Sequence, residues 1–117
     1  MEEKRKYIRV PLAVKVTNIR TKEFHFFYSK DISMGGMFLE TKDPYPVNTE
    51  VELDFFLPIK DNKERLVIPG RVTRVQQFDV NKSDQPTPGM GIEFSQLEPS
   101  HASAISNFIR FTLGAGE

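Results

Sequence analysis

The period of the apolar residues changes once along this 117-residue chain, and that change restricts the fold more than any other feature. Up to Phe94 hydrophobic side chains recur at every second position, and after Pro99 they recur at three and four. Period two belongs to a strand with one buried face, and three-and-four spacing to the apolar stripe of a helix. Val51, Leu53, Phe55 and Leu57, alternating with Glu50, Glu52, Asp54 and Phe56, form the clearest strand. Val10, Leu12, Val14 and Val16 alternate in the same way, with Pro11 confined to an edge or a strand start because it has no N–H to donate. Phe24, Phe26, Phe27 and Tyr28 mark a second strand too aromatic to be solvated on both faces. Phe24, Phe26, Phe55 and Phe94 are expected in the core.

Met37 to Leu39 read as a third strand and Leu66 to Phe78 as a long fifth one, with a bulge or bend expected at Pro69-Gly70. Met90, Ile92 and Phe94 make a sixth. The polar insert from 79 to 88, with two prolines, reads as an exposed, mobile loop. Ala102, Ile105, Phe108, Ile109 and Leu113 then share one helical face, opened by Pro99 and stopped by Gly114. Six short antiparallel runs and one helix predict a mainly β domain, a small barrel or strongly curved sheet closed by a C-terminal helix. The expected boundaries are a flexible N-terminal segment over 1–9, the barrel over 10–97 and the helix over 99–113.

The length suits one core and is too short for two well-buried ones. Lys plus Arg equal Asp plus Glu at 16 each, so an anion site has to be local, and DNA or RNA binding by a broad basic face is not expected. Without cysteine there is neither a disulfide framework nor a thiolate metal site. His25 and His101 lack ligand-like spacing, so no metal and no cofactor is expected. No Ser/His/Asp or Cys/His arrangement is available for nucleophilic chemistry, which argues against an enzyme and leaves no catalytic residue to name. No signal-peptide stretch or membrane-length apolar run is present, and a cytoplasmic location without membrane insertion is expected.

Two polar clusters remain. Asp31-Ile32-Ser33-Met34-Gly35-Gly36 falls between two apolar runs. It reads either as a hairpin corner in which Asp and Ser bond their own backbone, or as a site in which an acceptor and a hydroxyl share a face beside glycines that permit positive φ or close approach. The second cluster, Lys4-Arg5-Lys6-Tyr7-Ile8-Arg9, precedes the first strand. Taken alone it is a solvated basic tail.

Together the clusters spell RxxxR followed by DxSxxG, a pattern that resembles the PilZ family, whose domains bind the bacterial second messenger cyclic di-GMP. The resemblance covers most of the chain and implies a six-stranded antiparallel barrel with a C-terminal helix. It also implies that Arg5 and Arg9 fold over the ligand while Asp31 and Ser33 hold a guanine and Gly36 leaves room for it. Lys4, Arg74 and Gly91 are accessory candidates; their plain alternatives are surface charge and strand packing. The implied function is a stand-alone receptor that signals to a separate, unidentified effector protein. The alternative is a non-enzymatic interaction module of the same fold that does not bind the nucleotide. Ligand stoichiometry and a homodimer are left open by the residues.

Overall fold

A computed structural model describes residues 7–77 and 87–114 of the chain. Its elements are β1 (Val10–Pro11), β2 (Lys15–Asn18), β3 (His25–Ile32), β4 (Gly36–Glu40), β5 (Glu50–Ile59), β6 (Asn62–Gln76), β7 (Gly89–Phe94) and α1 (Pro99–Thr112). All pairings are antiparallel. The order β3-β2-β5-β6-β7-β4 returns to β3 through the β3–β4 pairing, so six strands close into the expected barrel. Closure removes the exposed edges that an open sheet of this size would carry. The loop expected over 79 to 88 lies outside the described residues as far as 86.

The first apolar run does not form one strand. β1 and β2 both pair with β3, and residues 12–14 bulge between them. The cause lies across the sheet. Ser29, 3% exposed, accepts from the Val14 N–H at 3.0 Å and donates its hydroxyl proton to the Leu12 carbonyl. The side chain thereby replaces ladder bonds that the bulged backbone cannot make itself. Pro11 stands on β1, as its missing donor requires.

β5 and β6 form the long hairpin, turning through Lys60 and Asp61 with Lys60 in the left-handed region at φ 53°. No break occurs at Pro69-Gly70, since Glu52 pairs with Pro69 and Val51 with Gly70 in unbroken register. Pro69 is tolerated because Glu52 turns its own N–H and C=O away from β6, toward Asn18 and Ile19. The β6 irregularity falls later, between Val72 and Arg74.

Inside the barrel Val16, Leu39, Leu53, Leu57, Leu66, Ile68, Val72 and Met90 are essentially inaccessible, with Phe55 at 1%. Phe94 is partly buried against this core. Phe24 and Phe26 are not in it: they are 57% and 54% exposed, and Phe27 is the aromatic that turns inward. Pairing decides this, because Phe27 stands opposite the inward Val16 and Phe26 opposite Thr17. The helix buries Ala104, Ile105, Phe108 and Ile109, and each large apolar side chain so covered contributes about 1.5–3 kcal/mol. Gly114, at φ +79°, ends it. Leu113, expected on the buried face, is 55% exposed.

Candidate functional site

The chain reverses between β3 and β4 over Ser33 to Gly36. The Ser33 N–H donates to the Gly36 carbonyl at 2.8 Å, and the Gly35 N–H donates to Ser33 Oγ at 3.1 Å. Ser33 is 4% exposed, and its hydroxyl helps to build the corner. Neither glycine of the corner uses positive φ. Their small size is required for another reason, since a Cβ on Gly36 would stand 1.9 Å from the Ile92 carbonyl oxygen of β7. The β7 backbone therefore occupies the space that a side chain at 36 would need. On the other side of the corner Tyr7 lies against Gly35, where a Cβ would approach its ring to 2.7 Å.

Antiparallel pairing of Val10 with Ile32 and Pro11 with Asp31 carries Arg9 alongside the corner. Arg9 Nη1 donates to Asp31 Oδ1 at 2.8 Å, with the two side chains 24% and 23% exposed. Water screens such a pair less than one standing fully in solvent. Thus residues 22 apart in sequence, one from each polar cluster, meet in a charge-assisted hydrogen bond.

Beside this pair opens a groove of about 610 Å³ lined by Arg9, Ser33, Gly36, Arg74 and Gly91, with Tyr7, Gly35, Thr73, Ile92 and Glu93 completing it. The volume lies within the range of about 300–1,000 Å³ usual for small-molecule sites. Arg74 enters because the β6 irregularity re-aims this part of the strand. Its side chain lies across Gly91, where a Cβ would be 3.1 Å from Arg74 Cγ and 3.3 Å from Nε. Its guanidinium stands 5.3 Å from the Phe38 ring centroid, within cation–π range. The groove therefore offers two guanidinium groups, hydroxyls at Ser33 and Thr73, one aromatic ring and one carboxylate.

Of the residues singled out from sequence, Arg9, Ser33, Gly36, Arg74 and Gly91 line this groove, and Asp31 stands at its margin through Arg9. Lys4 and Arg5 lie outside the described residues. Tyr7, Thr73 and Glu93 were not foreseen. Glu93 could have been found, since it lies two positions after Gly91 on one strand and so on the same side of the sheet. Tyr7 carried one signal, an aromatic between two arginines. Among the described residues no group of three potential metal ligands occurs, and no helix is long and apolar enough to cross a membrane.

The fold matches solved structures whose sequences have drifted far from this one. The inhibitor of motility MotI/DgrA of Bacillus subtilis is 22% identical, with a TM-score of 0.77, over 97% of this chain and 53% of that one. This chain thus spans about half the length of that relative. The PilZ domain of Escherichia coli YcgR, solved with cyclic di-GMP, is 15% identical at a TM-score of 0.69, covering 96% of this chain and 93% of that one. The Klebsiella pneumoniae MrkH–cyclic di-GMP complex is 19% identical at 0.69, covering 97% and 55%. No curated protein matches. The PilZ domain profile matches residues 3–111, and with the closed barrel and the terminal helix described above, the chain belongs to the PilZ domain family.

Proposed function

We propose that the chain is a receptor for cyclic di-GMP, bound in the groove beside the Arg9–Asp31 pair, and that it passes its ligand state to a protein partner. The observation that carries this reading is the convergence of Arg9, Asp31 and Ser33 from the two motifs at one open groove. Support comes also from the complexes of YcgR and MrkH with the same dinucleotide.

The chemistry of the ligand fits what the residues supply. Cyclic di-GMP is a dianion with two guanines, and a guanidinium serves either end, bidentate to phosphate or to the O6/N7 edge of guanine. Arg9 takes one of these roles, and Arg5, four positions earlier in the sequence, takes the other. Asp31 accepts from guanine N1–H and N2–H, a demand that a carboxylate meets with both oxygens. Ser33 and Gly36 hold the corner in shape, so that the Asp31 carboxylate and the backbone present a fixed edge. Arg74 and Gly91 together form one wall, and Lys4 adds attraction for the dianion.

Calorimetric titration of the chain with cyclic di-GMP, and with cyclic di-AMP as the control, tests the reading. Saturable binding of the guanine dinucleotide alone is expected, weakened at least tenfold in Arg9→Ala and in Arg5→Ala. Equal affinity for both dinucleotides, or none for either, overturns it and leaves an interaction module of the same fold.

A further inference from the structure

Alternate residues of a barrel strand face solvent, where polar side chains are the rule. Three outward positions on β3 and β5 depart from it. Phe26, Tyr28 and Phe56 are 54%, 56% and 50% exposed, although the interior beneath them is already filled by Val16, Phe27 and Phe55. They are neighbours. Lys15 stands opposite Tyr28 and Thr17 opposite Phe26, and with Val16 opposite Phe55 the next step places Lys15 beside Phe56. The Phe26 and Tyr28 rings meet edge to face at 6.3 Å. The Lys15 ammonium stands 4.5 Å from the Phe26 centroid, and that of Lys63 stands 5.6 Å from Phe56.

Contiguous exposed aromatics on one wall mark an interaction surface, and the charges around them select what it takes. Lys15 and Lys63 hold their ammonium groups beside the ring faces, and Lys30 follows Tyr28 on the outward side of β3. Asp54 is held by Arg65 through two hydrogen bonds of 2.9 and 2.8 Å, so these charges cancel within the face. Glu40, opposite Tyr28 on β4, lies at the far margin. Along β5 Glu50 pairs with Arg20 at 3.2 Å, which leaves Glu52 and Glu40 against Lys15, Lys30 and Lys63, a cationic excess set among apolar rings. We propose that the outward face of β2, β3 and β5 is a docking surface for a protein segment that carries carboxylates next to apolar side chains. Such a segment buries its apolar groups on the rings while its carboxylates meet the lysines. Single-stranded nucleic acid also stacks on aromatics, but its phosphates need a continuous basic path, and here Glu52 and Glu40 interrupt it. None of Lys15, Phe26, Tyr28, Phe56 or Lys63 lines the groove, so the proposal stands without the nucleotide.

The test is an amide-resolved NMR titration of the free chain with three probes: a short peptide alternating Glu and Leu, the same peptide with Lys for Glu, and oligothymidylate. Expected are shifts confined to β2, β3 and β5 with the Glu peptide, and much weaker ones with the Lys peptide. The affinity should fall at least tenfold in the double variant Phe26→Ser, Tyr28→Ser, and Lys15→Glu should move the preference toward the Lys peptide. Because all three residues are solvent-facing, thermal unfolding of the variants should stay close to that of the parent, which keeps loss of binding separate from loss of fold. Shifts elsewhere, no shifts, equal response to both peptides, preference for oligothymidylate, or coverage of the face by a second copy in a concentration-dependent dimer would each overturn the proposal.

Discussion

Removing either partner of the Arg9–Asp31 pair has consequences that can be estimated before the experiment. The bond is 2.8 Å long and both side chains are about three-quarters covered. Exposed ion pairs contribute about 0.2–1 kcal/mol, whereas breaking a buried pair costs about 3–5 kcal/mol. A quarter-exposed pair belongs between these limits, so a coupling energy of about 1–2 kcal/mol is expected. Arg9→Gln and Asp31→Asn should each lower the midpoint of thermal unfolding by about 4–8 °C, from about 4 °C per kcal/mol for a domain of this size. The double variant should lose less than the sum of the two, because the second change no longer strands a charge. Urea unfolding of the four proteins in low salt gives the cycle, and 1 M NaCl should shrink the coupling only in part. Strict additivity within about 0.3 kcal/mol would refute the pair as an interaction that orders the free protein.

Other substitutions test other parts of the account. Gly36→Ala places a methyl group 1.9 Å from the Ile92 carbonyl, where backbone rather than a flexible side chain must move, so a loss of about 3 kcal/mol or more in urea unfolding is expected. Ser29→Ala strands the Val14 N–H and the Leu12 carbonyl and should cost about 1–3 kcal/mol, with faster amide exchange at residues 12–14. The hydrogen bond from Arg65, aided by its charge and opposed by partial burial, holds the Asp54 carboxyl below its ordinary value. A carboxylate lowered in the folded state stabilises above its unfolded pKa, and that contribution disappears as pH falls through the folded value. Asp54→Asn should therefore flatten the loss of stability below about pH 4 and change the profile little near neutrality.

The sequence carried the strand and helix periods well, because they are local. The β5 alternation from Val51 to Leu57 survives unchanged as an in-out pattern, and the helix buries Ile105, Phe108 and Ile109 as the three-and-four spacing requires. Errors arose where a distant partner decides. Aromatics occupy both parities between Phe24 and Tyr28, and only pairing with β2 turns Phe27 inward. The interruption of the first run depends on a hydroxyl at Ser29, fifteen residues beyond Val14. Pro69-Gly70 signals a break that the register absorbs, while the irregularity that aims Arg74 occurs at Val72-Thr73-Arg74, where no turn residue announces it. At the corner, glycine reads from sequence as freedom in φ or as close approach, and Gly36 serves the second, the approach of β4 to β7. Both arguments call for glycine, and only the topology separates them.

The central claim is that the groove beside Arg9 and Asp31 receives cyclic di-GMP, and thermal unfolding of the chain with and without the dinucleotide tests it most directly, with GMP and cyclic GMP as controls. A ligand that binds only the folded state adds about 2.7 kcal/mol at a hundredfold excess over its dissociation constant. For a domain of this size that is a rise of about 10 °C. The account predicts such a rise for cyclic di-GMP, its absence for both mononucleotides, and a rise of about half that size or less in Arg9→Gln relative to that variant's own baseline, since a tenfold weaker affinity leaves about 1.4 kcal/mol. An unchanged midpoint at millimolar cyclic di-GMP, or the same rise with GMP, would contradict it.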